Sequence, residues 1–238
     1  MTTIDNNLQQ VIGRIAQACK AAGRDPAGVS LLAVSKTFGA DAVAEAVAAG
    51  QRAFGENYIQ EGVEKVEALR QRSPASLQWH CIGPIQSNKT RLVAEHFDWV
   101  QTVDRLKTAE RLSAQRPAHL APLQVCLQVN VDGGETKSGV PPEEALALAQ
   151  AVAKLPRLTV RGLMSIPDHA TDFETQKELH LRAQHLFRQI RASGVPGLAA
   201  FDTLSMGMTA DLEAAIHAGS TMVRVGTGIF GGRAYPAA

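Results

Sequence analysis

Short apolar runs alternate with helix-like segments along almost the whole chain, and this alternation limits the fold more than any other feature. The first run, Val29 to Val34, lacks the polar alternation of a half-exposed strand and is typical of a strand covered on both faces of a parallel sheet. Seven more strand-like runs follow it: Arg52–Phe54, Gln78–Ile82, Trp99–Val103, Leu123–Val129, Leu158–Met164, Thr203–Ser205 and Thr221–Val225.

Helical segments fill the intervals between these runs. An amphipathic helix also precedes them, because apolar residues recur at helical spacing from Ile4 to Cys19 before Gly23 and Pro26 end the pattern. Seven intervening helices are predicted: Asp41–Ala49, Tyr58–Arg70, Ser87–His96, Arg105–Ser113, Glu143–Lys154, Phe173–Ser193 and Thr209–Ala218.

Alternating strands and helices imply parallel pairing with right-handed crossovers. Eight such units in a chain of 238 residues match a compact barrel. The pattern therefore predicts an α/β fold, a single (β/α)8 TIM barrel with an extra N-terminal helix, in one domain over residues 1–238. A doubly wound open sheet is the alternative.

Composition narrows the classes of partner. The 24 basic and 23 acidic residues give a net charge of +1, which argues against a nucleic acid or a membrane bound by bulk charge. The polar N-terminus has no apolar signal core, and no apolar run approaches the roughly 20 residues that span a bilayer. Three scattered cysteines are expected to be buried and reduced, so a cytoplasmic protein is expected.

Three strand ends carry residues with chemistry in common. Lys36 closes the first strand, Ser205 ends the seventh, and Gly226 and Thr227 follow the eighth. Glycine amides and hydroxyls can hold a phosphate, and a lysine can form a Schiff base with an aldehyde. Together they suggest pyridoxal phosphate. The alternatives are that the lysine is merely solvated and that the two loops are ordinary tight turns. Thr209 is expected to begin the helix after the seventh strand.

Arg224 lies two residues before Gly226, on the eighth strand itself. A buried arginine needs an acceptor, and the pyridine nitrogen of the cofactor is one candidate, with a neighbouring acid as the other. Because arginine only donates, it would leave that nitrogen unprotonated and weaken the ring as an electron sink. The stretch Gly226 to Gly231 matches a dinucleotide-binding motif, but the strand and acidic residue that such a site requires afterwards are missing.

Three further positions are weaker candidates. Asn57, after the second strand, could face the cofactor ring or cap a helix, and the segment Ile82–Lys89 has the same ambiguity. Lys137, within Glu135–Gly139, is a second amine that could face the barrel mouth. The histidines show no metal spacing, and no metal site is predicted.

These residues together resemble the pyridoxal phosphate homeostasis protein family, which is related to the N-terminal domain of alanine racemase. The resemblance runs in order from about residue 30 to 233. The segments that carry it are Leu32–Thr37, Phe54–Tyr58, His80–Lys89, Gln128–Asn130, Lys137–Gly139, Arg161–Met164, Asp202–Met208 and Val223–Thr227.

The resemblance implies a (β/α)8 barrel with pyridoxal phosphate held as an aldimine on Lys36. It implies Ser205, Gly226 and Thr227 at the phosphate and Arg224 at the pyridine nitrogen. Two departures are small: Thr209 stands where the family often has serine, and Gly228 where it often has alanine.

The resemblance also implies a function. Alanine racemases carry a further domain that supplies a second base, and this chain stops soon after the eighth strand. We therefore expect a monomeric carrier that takes part in pyridoxal phosphate homeostasis, releases the cofactor to apo-enzymes and so affects amino-acid and keto-acid metabolism. Lys137 could assist the exchange. The rivals are a slow racemase, lyase or decarboxylase with the same cofactor, and a cofactor-free barrel that binds a sugar phosphate.

Overall fold

The computed structural model describes residues 2–72, 76–134 and 137–232. Eight parallel strands pair in sequence order, and β1 pairs with β8 as well as with β2, which closes the sheet into a barrel. The TIM-barrel prediction is confirmed, and the open sheet is excluded. The strands are β1 (Ser30–Val34), β2 (Ala53–Glu56), β3 (Gln78–Cys81), β4 (Trp99–Val103), β5 (Leu123–Val129), β6 (Leu158–Ser165), β7 (Thr203–Ser205) and β8 (Met222–Val225).

Helices surround the barrel, each between two strands apart from the first and last. They are α1 (Thr3–Ala21), α2 (Ala40–Ala48), α3 (Ile59–Arg72), α4 (Thr90–His96), α5 (Leu106–Gln115), α6 (Pro142–Val152), α7 (Phe173–Ala192), α8 (Leu212–His217) and α9 (Thr227–Phe230). The short α9 was not predicted. Within the described ranges, no helix has both the length and the apolar character needed to cross a bilayer.

Two helices begin three residues later than predicted. The segment from Ser87 forms a turn in which the Thr90 hydroxyl donates to the Ser87 carbonyl, and α4 begins at Thr90. The prediction that Thr209 begins α8 is wrong, since that helix begins at Leu212. The reason is tertiary: Asp211 accepts from the Met208 amide at 2.6 Å and lies 2.9 Å from His180 on α7, which holds the preceding loop in place.

The core has two parts. The larger part fills the space between the sheet and the helices and includes Phe54, Val93 and Ile216. A smaller cluster of Trp99, Cys126 and Met164 packs separately from it. As predicted, all three cysteines of the chain are buried and free of disulfides.

The N-terminal helix α1 packs against α8 and α9. Its Arg14 forms a two-pronged ion pair with Glu213 at 2.7 and 2.8 Å and donates to the Thr209 carbonyl at 2.9 Å. Its Asn7 donates to the Ile229 carbonyl at 3.0 Å. Of the predicted apolar face, Ile12 is exposed, whereas Leu8 is fully buried. Through these contacts α1 supports the segments that follow β7 and β8.

Candidate functional site

A cavity of about 300 Å³ opens at the carboxyl ends of the strands, where TIM barrels place their functional groups. We call it the central cavity. Five of the six predicted site residues line it: Lys36, Asn57, Arg224, Gly226 and Thr227. The rest of its wall comes from β1 and the loops after β3, β6 and β7, namely Val34, Ile82, Ile166, Met208, Thr209 and Ala210.

Volume alone would not select this cavity. A larger one, of about 430 Å³, lies outside the barrel between the loop after β1 and helix α3. Its wall carries two carboxylates, Glu61 and Glu64, which do not suit an anion, and its one cation, Lys65, already bonds to Glu61. The central cavity is the candidate site because it gathers a lysine, an arginine and two anion-binding loops.

Arg224 reaches the cavity from inside the barrel and is 4% exposed. Its Nη1 donates to the Ser205 hydroxyl at 2.8 Å and its Nη2 to the Ser165 carbonyl at 2.9 Å. Burial lowers the pKa of Arg224 to about 10, so the guanidinium stays charged at neutral pH. Among the ion pairs of the described residues none includes Arg224, so a structural salt bridge does not account for it.

Ser205 is brought close to the other residues but does not line the cavity. Its hydroxyl is fully buried, accepts from Arg224 and donates to Gln101 Oε1 at 2.6 Å. Gln101 in turn contacts the His80 ring through its amide nitrogen, 2.9 Å from Nδ1. A row of hydrogen-bonded side chains therefore crosses the barrel interior, and we call it the interior line. It runs through Arg224 on β8, Ser205 on β7, Gln101 on β4 and His80 on β3.

Neither Gln101 nor His80 was predicted as a site residue. The available signal was a glutamine inside the mainly apolar strand β4, whose burial makes an unpaired amide costly. His80 stacks on Trp99, and its complete burial lowers its pKa to about 3. A neutral imidazole here can relay hydrogen bonds but does not carry charge to the site.

The loops after β7 and β8, which are predicted to bind a phosphate, form one end of the cavity. The hydroxyls of Thr227 and Thr209 lie 3.2 Å apart and join the two loops. Gly207 adopts a φ of +91°, and a side chain there would collide with Ala215. A Cβ on Gly226 would lie 3.2 Å from the Val34 carbonyl oxygen. The glycines therefore let these loops pack tightly at this end of the cavity.

Asn57 has an unmet hydrogen-bonding need. Its Oδ1 is buried and has no partner among the described residues, although the residue lines the central cavity. Helix α3 begins at Ile59, so Asn57 does not occupy its N-cap position. Buried acceptors in native proteins are nearly always bonded, so an orphaned one at a cavity wall fits a ligand donor.

Lys137 is placed differently from Lys36. Its ammonium lies 2.9 Å from Asp132 and 2.6 Å from Asp168, and it does not line the central cavity. Partial burial lowers its pKa, but bonds to Asp168 and Asp132 outweigh this and raise it. The residues before it in its motif, Glu135 and Thr136, lie outside the described residues. Lys36 thus lines the central cavity and Lys137 does not, although the sequence made both candidates for the barrel mouth.

The segment after β3 contributes to two cavities. Ile82 lines the central cavity, while Gly83, Pro84 and Ile85 line a neighbouring one of about 240 Å³. The two share Asn57, Ile82 and Ile166. A side chain on Gly83 would collide with the Asn57 carbonyl, so the glycine allows the loops after β2 and β3 to meet at the cavity wall.

The fold and the central cavity define a class of protein. The chain belongs to the family of alanine racemase N-terminal domains, whose family model matches residues 6–234.

Curated relatives narrow this class. The chain is 55% identical over 237 residues to the pyridoxal phosphate homeostasis protein of Pseudomonas aeruginosa, covering 100% of this chain and 99% of the relative. It is 52% identical over 235 residues to that of Escherichia coli, covering 99% of both. Within the class, the chain therefore belongs to the pyridoxal phosphate homeostasis proteins, which are named for a role in homeostasis and not for a reaction.

A solved structure of similar shape contains the cofactor. PipY of Synechococcus elongatus, with pyridoxal phosphate bound, is 36% identical to this chain with a TM-score of 0.79. The match covers 91% of this chain and all of PipY.

Proposed function

We propose that this chain binds pyridoxal phosphate in the central cavity, holds it as a Schiff base on Lys36, and releases it to apo-enzymes as part of intracellular cofactor homeostasis. The observation that carries the proposal is the convergence of Lys36, Arg224 and the two phosphate-type loops on one cavity. The names of the relatives and the cofactor in PipY support it.

The residues of the cavity suit the parts of this ligand. Gly226 and Thr227 face a phosphate, and Thr209 adds a second hydroxyl. Arg224 uses two of its five N–H donors on Ser205 and Ser165, which leaves donors for the pyridine nitrogen. Asn57 would lie against the ring, where its orphaned oxygen finds a donor. Ser205 supports Arg224, and a direct contact of Ser205 with phosphate stays a prediction.

The covalent step is a reversible condensation. The uncharged amine of Lys36 attacks the aldehyde carbon, a C=N bond forms, and the aldehyde oxygen leaves as water. Addition of water, or exchange with another amine, reverses it and frees the cofactor. Reversibility of this kind suits a carrier that buffers a reactive aldehyde and passes it on.

The cavity is better suited to carrying the cofactor than to catalysis with it. Among the described residues that line it, Lys36 and Arg224 are the only titratable ones, and arginine does not act as a base. Racemisation with two opposed bases would lack its second base. Arg224 also favours an unprotonated pyridine nitrogen, which weakens the electron sink that carbanion chemistry needs.

The first test compares wild-type protein with Lys36→Ala. After addition of pyridoxal phosphate, wild type should show a visible Schiff-base absorbance band, and borohydride should fix the cofactor covalently to Lys36. The Lys36→Ala variant should lack both. Lys137→Ala is the matched control and should behave as wild type, because the Lys137 ammonium is held between two aspartates.

Two results would change the proposal. If wild type shows no Schiff-base band, the proposal that it binds pyridoxal phosphate is wrong. The cavity would then be a site for another phosphate ligand. Robust turnover of an amino-acid panel, lost in Lys36→Ala, would favour a racemase or lyase over a carrier.

We also propose a cytoplasmic monomer with a single domain over residues 1–238. The buried, free cysteines fit a reducing compartment. Gel filtration with light scattering would test whether the protein is a monomer in solution.

A further inference from the structure

A cluster of charged side chains is buried directly behind Lys36, outside the central cavity. The Lys65 ammonium lies 2.8 Å from Glu56 Oε1 and 2.5 Å from Glu61 Oε1, and it donates to the Ser35 carbonyl at 2.7 Å. The Ser35 hydroxyl donates to the same oxygen of Glu56 at 2.5 Å. The side chains of Glu56 and Lys65 are 0% and 5% exposed.

Stability alone is a poor explanation for this cluster. Buried ion pairs often stabilise no more than apolar residues of similar volume, because desolvation opposes the attraction between the charges. Glu56 illustrates the cost: burial raises its pKa, against the effect of Lys65, and its Oε2 has no hydrogen-bond partner among the described residues.

The cluster holds both chain neighbours of Lys36. Lys65 bonds to the Ser35 carbonyl, and Glu61 accepts from the Thr37 amide at 2.7 Å. Thr37 has a φ of +68°, an unfavourable conformation for a β-branched residue that persists only where the surroundings impose it. The backbone on either side of Lys36 is therefore fixed by one buried cation and its two carboxylates.

The position of α3 allows this arrangement. A Cβ on Gly62 would lie 2.6 Å from the Phe97 ring and 3.2 Å from Glu56 Cβ, so the glycine lets the helix approach the end of β2 closely. Glu56 also directly precedes Asn57, which lines the central cavity. The cluster thus joins the strand ends that carry Lys36 and Asn57.

We propose that Lys65, with Glu56 and Glu61, is a positioning group for Lys36: it holds the strained Ser35–Thr37 backbone so that the Lys36 amine points to the aldehyde. This inference rests on the proposed function. Lys65 does not contact the cofactor in this proposal. Covalent capture at Lys36 depends on the cluster, whereas phosphate binding depends on the loops after β7 and β8.

The test uses Lys65→Met, which keeps the side chain's length and removes its charge. Two quantities are measured: the rate of borohydride-trapped attachment of pyridoxal phosphate, followed by mass spectrometry, and the affinity for pyridoxamine 5′-phosphate, which has no aldehyde. We expect attachment to slow by about tenfold or more, since small misplacements of reacting groups are costly, with the affinity for pyridoxamine 5′-phosphate within about twofold of wild type.

Two further variants guard against a general folding defect. Glu61→Ala removes only the acceptor for Thr37 and Lys65 from a side chain that is 30% exposed, and attachment should slow in the same direction; Glu61→Gln, which keeps an acceptor, should slow it less. Arg116→Met is the control. Arg116 is a buried cation bonded to the carbonyls of Ala94, Phe97 and Ala121 rather than to the residues beside Lys36, and its loss should leave attachment unchanged.

The outcomes separate this inference from the function on which it rests. Attachment at the wild-type rate in both Lys65→Met and Glu61→Ala would overturn the positioning role alone. An equal loss of affinity for pyridoxamine 5′-phosphate would overturn it too, because the whole cavity would then depend on the cluster. Failure of wild type to attach pyridoxal phosphate would overturn the proposed function and this inference with it.

Discussion

At the scale of single residues, the guanidinium of Arg224 shows how the barrel interior limits the chemistry of the cavity. It is buried, charged and held by the Ser205 hydroxyl, which is itself held by Gln101. Each group in this line bonds the next, and buried polar groups of this kind lose free energy when a partner is removed. The orientation of Arg224 therefore depends on a serine that does not line the cavity.

This dependence predicts the effect of Ser205→Ala. The change removes the acceptor of Arg224 Nη1 and the donor to Gln101, and a buried group left unpaired costs about 1–3 kcal/mol. We expect urea unfolding of the apo-protein to show a loss of that size. Thr227→Val is the matched control, because Thr227 lines the cavity and its hydroxyl bonds a single group, Thr209, among the described residues; it should change stability by less than about 0.5 kcal/mol.

The two variants should also differ in binding. Thr227→Val should weaken binding of pyridoxamine 5′-phosphate through its phosphate end. If Ser205→Ala proves no more destabilising than Thr227→Val, the interior line does not hold Arg224.

At the scale of elements, the phosphate-type loops depend on a helix that is distant in sequence. Arg14 of α1 bonds both Glu213 of α8 and the Thr209 carbonyl, and Asn7 bonds the carbonyl of Ile229 in α9. The loops after β7 and β8 are therefore supported from outside the barrel as well as from within. The predicted leading helix has a role that its amphipathic pattern alone did not indicate.

Replacing Arg14 tests this support. Arg14→Met should lower the free energy of unfolding by about 1 kcal/mol, since the ion pair is partly exposed and contributes modestly while the bond to Thr209 adds its own share. It should also weaken binding of pyridoxamine 5′-phosphate severalfold by loosening the Thr209 loop. Urea unfolding and calorimetric titration measure both effects.

The control for this prediction is Arg72→Met. Arg72 pairs with Asp41 at 2.8 Å but is largely exposed, and neither residue is near the cavity. Equal behaviour of the two variants would show that α1 does not support the phosphate loops.

Sequence patterns predicted the strands and helices better than the contacts between them. Apolar runs placed the ends of most strands to within one or two residues, and those ends carry Lys36, Asn57 and Gly226, so the cavity followed from the fold. The start of α8 was misplaced because Asp211 bonds His180 across the structure, a contact that local propensity does not contain. Gln101 and Lys65 were missed for the same reason: apart from Glu61, which shares a helix with Lys65, their partners come from other parts of the fold.

At the scale of the whole molecule, the parts of the site are held by contacts within the protein. The interior line holds Arg224, the Lys65 cluster holds the backbone around Lys36, and α1 supports the phosphate loops. A site assembled in the native fold and absent from the unfolded chain couples ligand binding to folding. Binding should therefore stabilise the entire barrel.

The final prediction measures this coupling. At a free pyridoxal phosphate concentration of 100 times Kd, the native state should gain about 2.7 kcal/mol. For a domain of this size, that gain raises Tm by roughly 5–10 °C. Lys36→Ala should keep a smaller increase, because Arg224 and the phosphate loops remain, and pyridoxal without its phosphate should also raise Tm less than the full ligand. An unchanged wild-type melting curve would contradict the proposal, since a ligand that binds only the folded barrel must stabilise it.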